Sequence, residues 1–370
     1  MKRILLTMAA LTFALALFVP LASASAIEPG WVAQDPTPEE AAAYKAWYEA
    51  NNAKDFPKAM ELAKAYLEKF PSGKYADYLK NKWIPGMLPY LLNEAIKAKN
   101  LPEIIRIGKL VLTSDPDNLD YLSVLVVQIR TLELFANPPN FGHAAEAAEF
   151  AERAIKLIEA GKTPTATDPK VAFNKNVTLA YMHQTVAVVA EHDKNVDKAL
   201  AEYDKAAALE PANAAFFFHC GRIHNDRYAA GAAKYEAAQK KVDAIPEADR
   251  TAAEPKPEVK AAVDEAKAAF TNVKSEAEAV VNCWARYVAL AQESDTRKTV
   301  HTVVTGLYKF RNNNSEEGLQ KLIDDNKASP TPVKMTPAPE AATPAKPAVD
   351  SSAAATKPAA APPKPAGKKP

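Results

Sequence analysis

Cys220 and Cys283 are the two cysteines of the chain, and His219, Cys220 and His224 stand close together in the stretch HCGRIH. Thiols and imidazoles at short spacing are what a soft metal site, an activated nucleophile or a disulfide exchange would need. Three states are open for the cysteines. Each could be a buried small hydrophobe, the two could pair in an oxidising compartment, or one could be a reactive thiol. The first is the leading reading for Cys220. Neither cysteine shows the basic or helix-start setting that activates a thiol. On a helix, His219 and Cys220 point about 100° apart, and the step of five from His219 to His224 does not return to one face. Helical zinc-protease sites use two histidines four apart with a glutamate beside the first. No metal ligand and no cofactor are therefore expected here.

The remaining chemistry is sparse. His183, His192 and His301 have no acidic partner at useful spacing in the sequence and read as packing or surface residues. The chain contains neither a G-x-S-x-G elbow nor a G-x-x-x-x-G-K-[ST] phosphate loop, so two common ways of presenting a nucleophile or a phosphate are missing. Carboxylates stand near lysines, as Glu202 does to Lys205 and Glu265 to Lys267, in the manner of solvated helix faces. No catalytic residue is nominated, and the expectation is a protein that is not an enzyme.

The elements that must position these residues lie between two atypical ends. Met1 to Ala26 has a basic start, an apolar run and the small-residue ending Ala24-Ser25-Ala26, the layout of a cleaved export signal. The expected address is exported, periplasmic or secreted. Ser329 to Pro370 holds 11 of the 29 prolines with alanine, threonine and lysine. Such a tail has little to bury and is expected to be disordered. Removing the tail's +4 and the leader's +2 from the total of +1 leaves −5 for the folded part, so nucleic acid is not an expected partner. Anionic cell-wall polymer is a conceivable partner for the tail alone. Glycine is scarce, 11 in 370 residues, and alanine, glutamate, lysine and leucine dominate. That composition specifies an all-α class.

The stretch VDKALAEYDKAAALEPANA, Val196 to Ala214, sets small residues at Ala199 and Ala206, an aromatic at Tyr203 and a stop at Pro211. Thirty-four residues after Ala199 comes Ala233, and by the same step Ala187 matches Gly221, Val186 matches Cys220, and Tyr203 matches Ala237. With Ala180 first, the small, bulky, small, proline order resembles the tetratricopeptide repeat, a 34-residue pair of antiparallel helices. Segments around Ala59 and Pro71, Ile104 and Pro116, and Ala147 to Ala154 fit more loosely, with steps of 45, 43 and 52 residues. The resemblance implies an α-solenoid over 37–245, a helical capping region over 256–327 and the tail over 329–370. Cys220 would then pack inside a hairpin, and Gly221 would approach Ala199 and Ala206.

The resemblance also implies a concave face built from first helices. Its lining would include Tyr44, Tyr48 and Asn51, then Tyr181, Gln184, Val188 and Glu191, then Phe218, Arg222 and Asn225. Aromatics beside an arginine are favoured binding anchors. The function so implied is a non-enzymatic scaffold that takes another protein or a peptide in that groove. The alternatives are a cell-wall-associated protein tethered by its basic tail, or a small-ligand carrier with a buried polar pocket.

Overall fold

The computed structural model describes residues 35–165 and 173–336. Every regular element among the described residues is helical. Two compact units divide at Asn174/Lys175, and each is described by itself. Residues 1–34, where the export signal is expected, residues 166–172 and the tail beyond Thr336 lie outside the described residues.

Local sequence explains where helices begin. Thr37, Asp55, Asn100, Asn118, Asn195, Asn213 and Ser294 each accept a backbone N–H one to three residues on, which satisfies a donor the helix start would otherwise leave open. Three of the turns share a further device. Lys54, Lys99 and Lys194 adopt positive φ immediately before the capping Asp55, Asn100 and Asn195, so the chain reverses in a few residues.

In the first unit, α1 (Pro38–Asn52) and α2 (Phe56–Lys69) form a hairpin. Then come the short α3 (Ala76–Tyr78), a π-helical turn (Leu79–Trp83), α4 (Ile84–Lys97), α5 (Leu101–Ser114), α6 (Leu119–Ile129), a second π-helical turn (Arg130–Leu134) and α7 (Ala144–Glu159). Trp47, Met60, Tyr66, Leu79 and Trp83 pack one core. Buried Glu40 accepts the Tyr66 hydroxyl at 2.5 Å and the Lys74 amide at 2.7 Å. Burial, and then the bond to Glu40, push the Tyr66 hydroxyl pKa well above the usual phenol range.

The second unit comprises α8 (Lys175–His192), α9 (Val196–Leu209), α10 (Ala214–Asp243), α11 (Glu247–Arg250), α12 (Pro257–Leu290), α13 (Asp295–Arg311) and α14 (Leu319–Ala328). α8 and α9 pair through Ala187, Ala190, Ala199 and Tyr203. The most extensive packing joins α10 to α12, and α13 and α14 also pack on α12. Tyr228, Val273, Val280, Trp284, Val304, Leu307 and Leu322 meet in one shared core.

This arrangement corrects the solenoid. A 34-residue repeat needs a turn near 227–230, one period after the Asp193–Asn195 turn. Instead α10 runs unbroken for 30 residues. The sequence NDRYAAGAAKY carries no proline, and α10 runs through Asn225, Asp226 and Gly231 without using any of them as a cap. Ala233 lies inside the same helix and does not begin a second one. The echo of alanines therefore reports helix-forming composition, not a repeated hairpin. Helix α12, 34 residues long, then packs back along α10 to close a bundle where stacked short hairpins were expected. The tetratricopeptide assignment and the α-solenoid class are both withdrawn.

The last described segment is pinned to this bundle. Arg286, 1% exposed, donates to the carbonyls of Pro211, Asn326 and Ser329. Burial pulls its pKa down from the usual guanidinium value. Asn326 exchanges hydrogen bonds with Val333, and the Met335 amide donates to Asn282 Oδ1 at 2.6 Å.

Candidate metal centre

Cys220 lies on α10 and Cys283 on α12, where the two long helices come closest to one another's side chains. Gly221 explains the closeness. A Cβ built there would sit 2.1 Å from Trp284 Cδ1, so only a glycine lets the indole lie against the α10 backbone. The indole is fixed in turn by Nε1–H donating to the Phe218 carbonyl at 3.0 Å. With the helices held so, the Cα atoms of Cys220 and Cys283 are 6.0 Å apart and the two sulfurs are joined as a disulfide. That Cα spacing is normal for such a bridge. It settles the open state of the cysteines, and Gly221 faces Trp284, not Ala199 and Ala206.

His224 follows Cys220 by four residues and so shares its face of α10. One of its ring nitrogens and both sulfurs lie within 4.8 Å of one another. Nδ1 is 2.7 Å from Glu276 Oε2 on α12. A carboxylate can only accept, so Nδ1 carries the proton of that bond. Asp204 on α9 senses the same imidazole. Burial raises its pKa above the usual aspartate range, and the nearby His224 and Lys334 oppose that. The elements thus supply two sulfurs, one imidazole nitrogen and a carboxylate that orients the imidazole, the usual outer partner of a metal-bound histidine.

With the sulfurs bridged, the cluster is a covalent staple between α10 and α12. With the bridge opened, two thiolates and an imidazole face a common point, a donor set for soft, thiophilic ions. The expectation of no metal ligand weighed His219 against Cys220, the step from His219 to His224 and the zinc-protease pattern, but not the step from Cys220 to His224. The informative step is Cys220 to His224, which does return to one face, and it was legible in HCGRIH. Cys283 and Glu276 were not, because only the fold brings α12 alongside.

His183 and Glu202 form another buried pair, with Nδ1 2.6 Å from Oε2. His143 and buried Glu133 form a third, at 2.9 Å. Neither gathers further metal-ligating groups among the described residues.

The residues expected to line a concave face have other surroundings. Tyr44 stacks on Tyr75 at 3.6 Å, and Asn51 Oδ1 accepts the Trp83 indole at 3.0 Å. Tyr48 is half exposed, and Tyr181 is 38% exposed. Gln184 is buried, Val188 and Asn225 are partly buried, and Phe218 packs on Tyr287 with ring centroids 5.2 Å apart. Glu191 forms an ion pair with Arg222. The first three belong to one unit and the other seven to the second. The scaffold function built on an open repeat groove falls with the solenoid, because the second unit is a closed bundle around α12. No helix among the described residues is long and apolar enough to cross a membrane.

No protein-family model matches the chain, and no curated protein matches it.

Proposed function

We propose that the protein binds a single soft metal ion, monovalent copper, at Cys220, Cys283 and His224, and that the disulfide is the closed state of that site. The observation that carries this reading is the gathering of two sulfurs and an imidazole nitrogen within 4.8 Å of one another. Copper(I) accepts low coordination by thiolate and imidazole, whereas structural zinc sites use four ligands. Glu276 is not offered as a fourth ligand, since it holds His224 Nδ1.

Opening the site breaks the S–S bond. Two electrons and two protons come from an external dithiol, which itself becomes a disulfide. The metal then displaces the thiol protons as it binds. The reading assigns no catalytic step, so the protein is a binding protein and not an enzyme. Export is part of the proposal, supported by the leader pattern of Met1 to Ala26 and by a disulfide that favours an oxidising compartment.

The test is anaerobic titration of copper(I) into the protein after reduction, against a competing chromophoric chelator. One equivalent should bind to the dithiol form and none to the disulfide form. Cys283→Ser should abolish the tight site and His224→Ala should weaken it. Equal uptake by the reduced, oxidised and Cys283→Ser proteins would overturn the assignment. A zinc preference over copper would overturn the choice of metal.

A further inference from the structure

A cleft of about 310 Å³ lies between α10 and α12, lined by Arg227, Ala230, Gly231, Lys234, Asn272 and Glu276. The four α10 residues recur at helical steps of three and four, so they form one face. Asn272 and Glu276 face them from one turn of α12. Gly231 leaves this wall without a side chain, and a Cβ there would stand 3.1 Å from Asn272 Nδ2.

The polar groups of the cleft are only partly used by the protein. Lys234 has no ion-pair partner and the Asn272 amide no hydrogen-bond partner among the described residues. Arg227 reaches Asp197 at 2.5 Å, but that aspartate side chain is 91% exposed. Such a pair contributes little and exchanges readily. Glu276 gives one carboxylate oxygen to His224 and has a second. The cleft therefore offers two cations and an amide donor beside one carboxylate acceptor.

Two cations and an amide suit a small oxyanion. The carboxylate narrows the choice. A fully deprotonated oxyanion such as sulfate would meet it with like charge. A monoprotonated phosphate has an O–H to donate to it. We propose that this cleft binds a phosphoryl group in a monoprotonated form, held by Arg227, Lys234 and Asn272 and selected over sulfate by Glu276. The cleft does not include the sulfur ligands, but it shares Glu276 with His224 of the proposed copper site.

The measurement is calorimetric titration of the oxidised, metal-free protein with inorganic phosphate, methyl phosphate and sulfate at neutral pH and low salt. Inorganic phosphate should saturate at one equivalent. Sulfate should bind at least about tenfold more weakly, the scale of one hydrogen bond to a charged group. Lys234→Ala should weaken phosphate by about tenfold, and Ala230→Trp, which fills the mouth from an exposed position, should abolish it with helicity unchanged. Glu276→Gln should erase the preference over sulfate. At pH 5, where methyl phosphate keeps one O–H, binding comparable to inorganic phosphate would name a phosphomonoester as the natural source and its exclusion would name free phosphate, whereas at neutral pH its dianion should bind no better than sulfate. No saturable phosphate binding, or equal affinity for sulfate in the unaltered protein, would overturn the proposal. Because the titration uses the disulfide form, a failed copper titration does not bear on it.

Discussion

Two helical pairs of the second unit solve the same packing problem differently. In the α8–α9 pair, short helices meet through Ala187, Ala190 and Ala199, with Tyr203 filling beside them. The seam is local, since the partners are a few residues apart in sequence and a tight Lys194-Asn195 turn joins them. In the α10–α12 pair, helices of 30 and 34 residues meet where a glycine accepts a tryptophan and two cysteines bridge. The first seam needs only small residues and a turn. The second must align partners 63 residues apart, and it does so with a steric key at Gly221–Trp284 and a covalent bond beside it. The difference teaches where chemistry can be built. The α8–α9 seam holds one buried polar pair, His183 with Glu202, whereas the α10–α12 seam brings together His224, Glu276, Lys234 and Asn272.

The largest break in that comparison should come from the staple. Cys283→Ser removes a crosslink that closes a loop of 63 residues. The chain-entropy model puts the loss near 4 kcal/mol. Urea melts of the oxidised proteins should show it. Equal stability of the unaltered and Cys283→Ser proteins would mean that the bridge does not constrain the unfolded chain. No alanine-to-glycine change in the α8–α9 seam should approach this effect.

A single methyl group sharpens the contrast. Gly221→Ala adds a carbon where Trp284 already lies. Overpacking of this kind costs roughly 1–3 kcal/mol, and a contact of 2.1 Å selects the upper end; the better helix propensity of alanine offsets about 1 kcal/mol, so a net loss of about 2 kcal/mol is expected. Ala199→Gly makes the opposite change in the other seam. It should cost about 1 kcal/mol, mostly through propensity. If Gly221→Ala were neutral in a thermal melt, the glycine would not be what sets the approach of α10 to α12.

These seams also explain what the sequence could disclose. Helices were legible because glycine is scarce and because Asp and Asn caps stand before apolar-periodic runs, as at Asn195 and Asn213. The alanines of the α8–α9 seam were legible because a hairpin's contacts lie within one local pattern. The length of α10 was readable only in part, since no proline stands between Asn225 and Ala233 but Asn225, Asp226 and Gly231 do. Reading alanine spacing as repeat spacing hid it, because alanine recurs on any long amphipathic helix. The pairing of α10 with α12 was not legible. It depends on contacts such as Phe218 with Trp284, 66 residues apart, for which local periodicity holds no information. Half of the candidate site shared that fate. Cys220 and His224 announce one face, while Cys283 and Glu276 reach them only through tertiary packing.

The smallest expected effect returns to the local seam and depends on pH. Glu202 on α9 receives His183 Nδ1 at 2.6 Å and Lys205 Nζ at 2.7 Å. Burial by itself raises the Glu202 pKa, but the bonds from His183 and Lys205 outweigh it, and the carboxyl sits below the usual glutamate range. A depressed folded-state pKa means that the unfolded chain takes up the proton first as pH falls. The stabilisation is therefore complete above the ordinary glutamate pKa and is lost as pH drops through the lower, folded value. Glu202→Gln should remove this dependence, so its melting curve should approach that of the unaltered protein as the solution is acidified from pH 6 toward pH 3, in the range set by ordinary carboxylate titration. If the gap between the two proteins instead widened on acidification, the pair would be stabilising its protonated form, and the local seam would owe its polar contact to something other than a carboxylate.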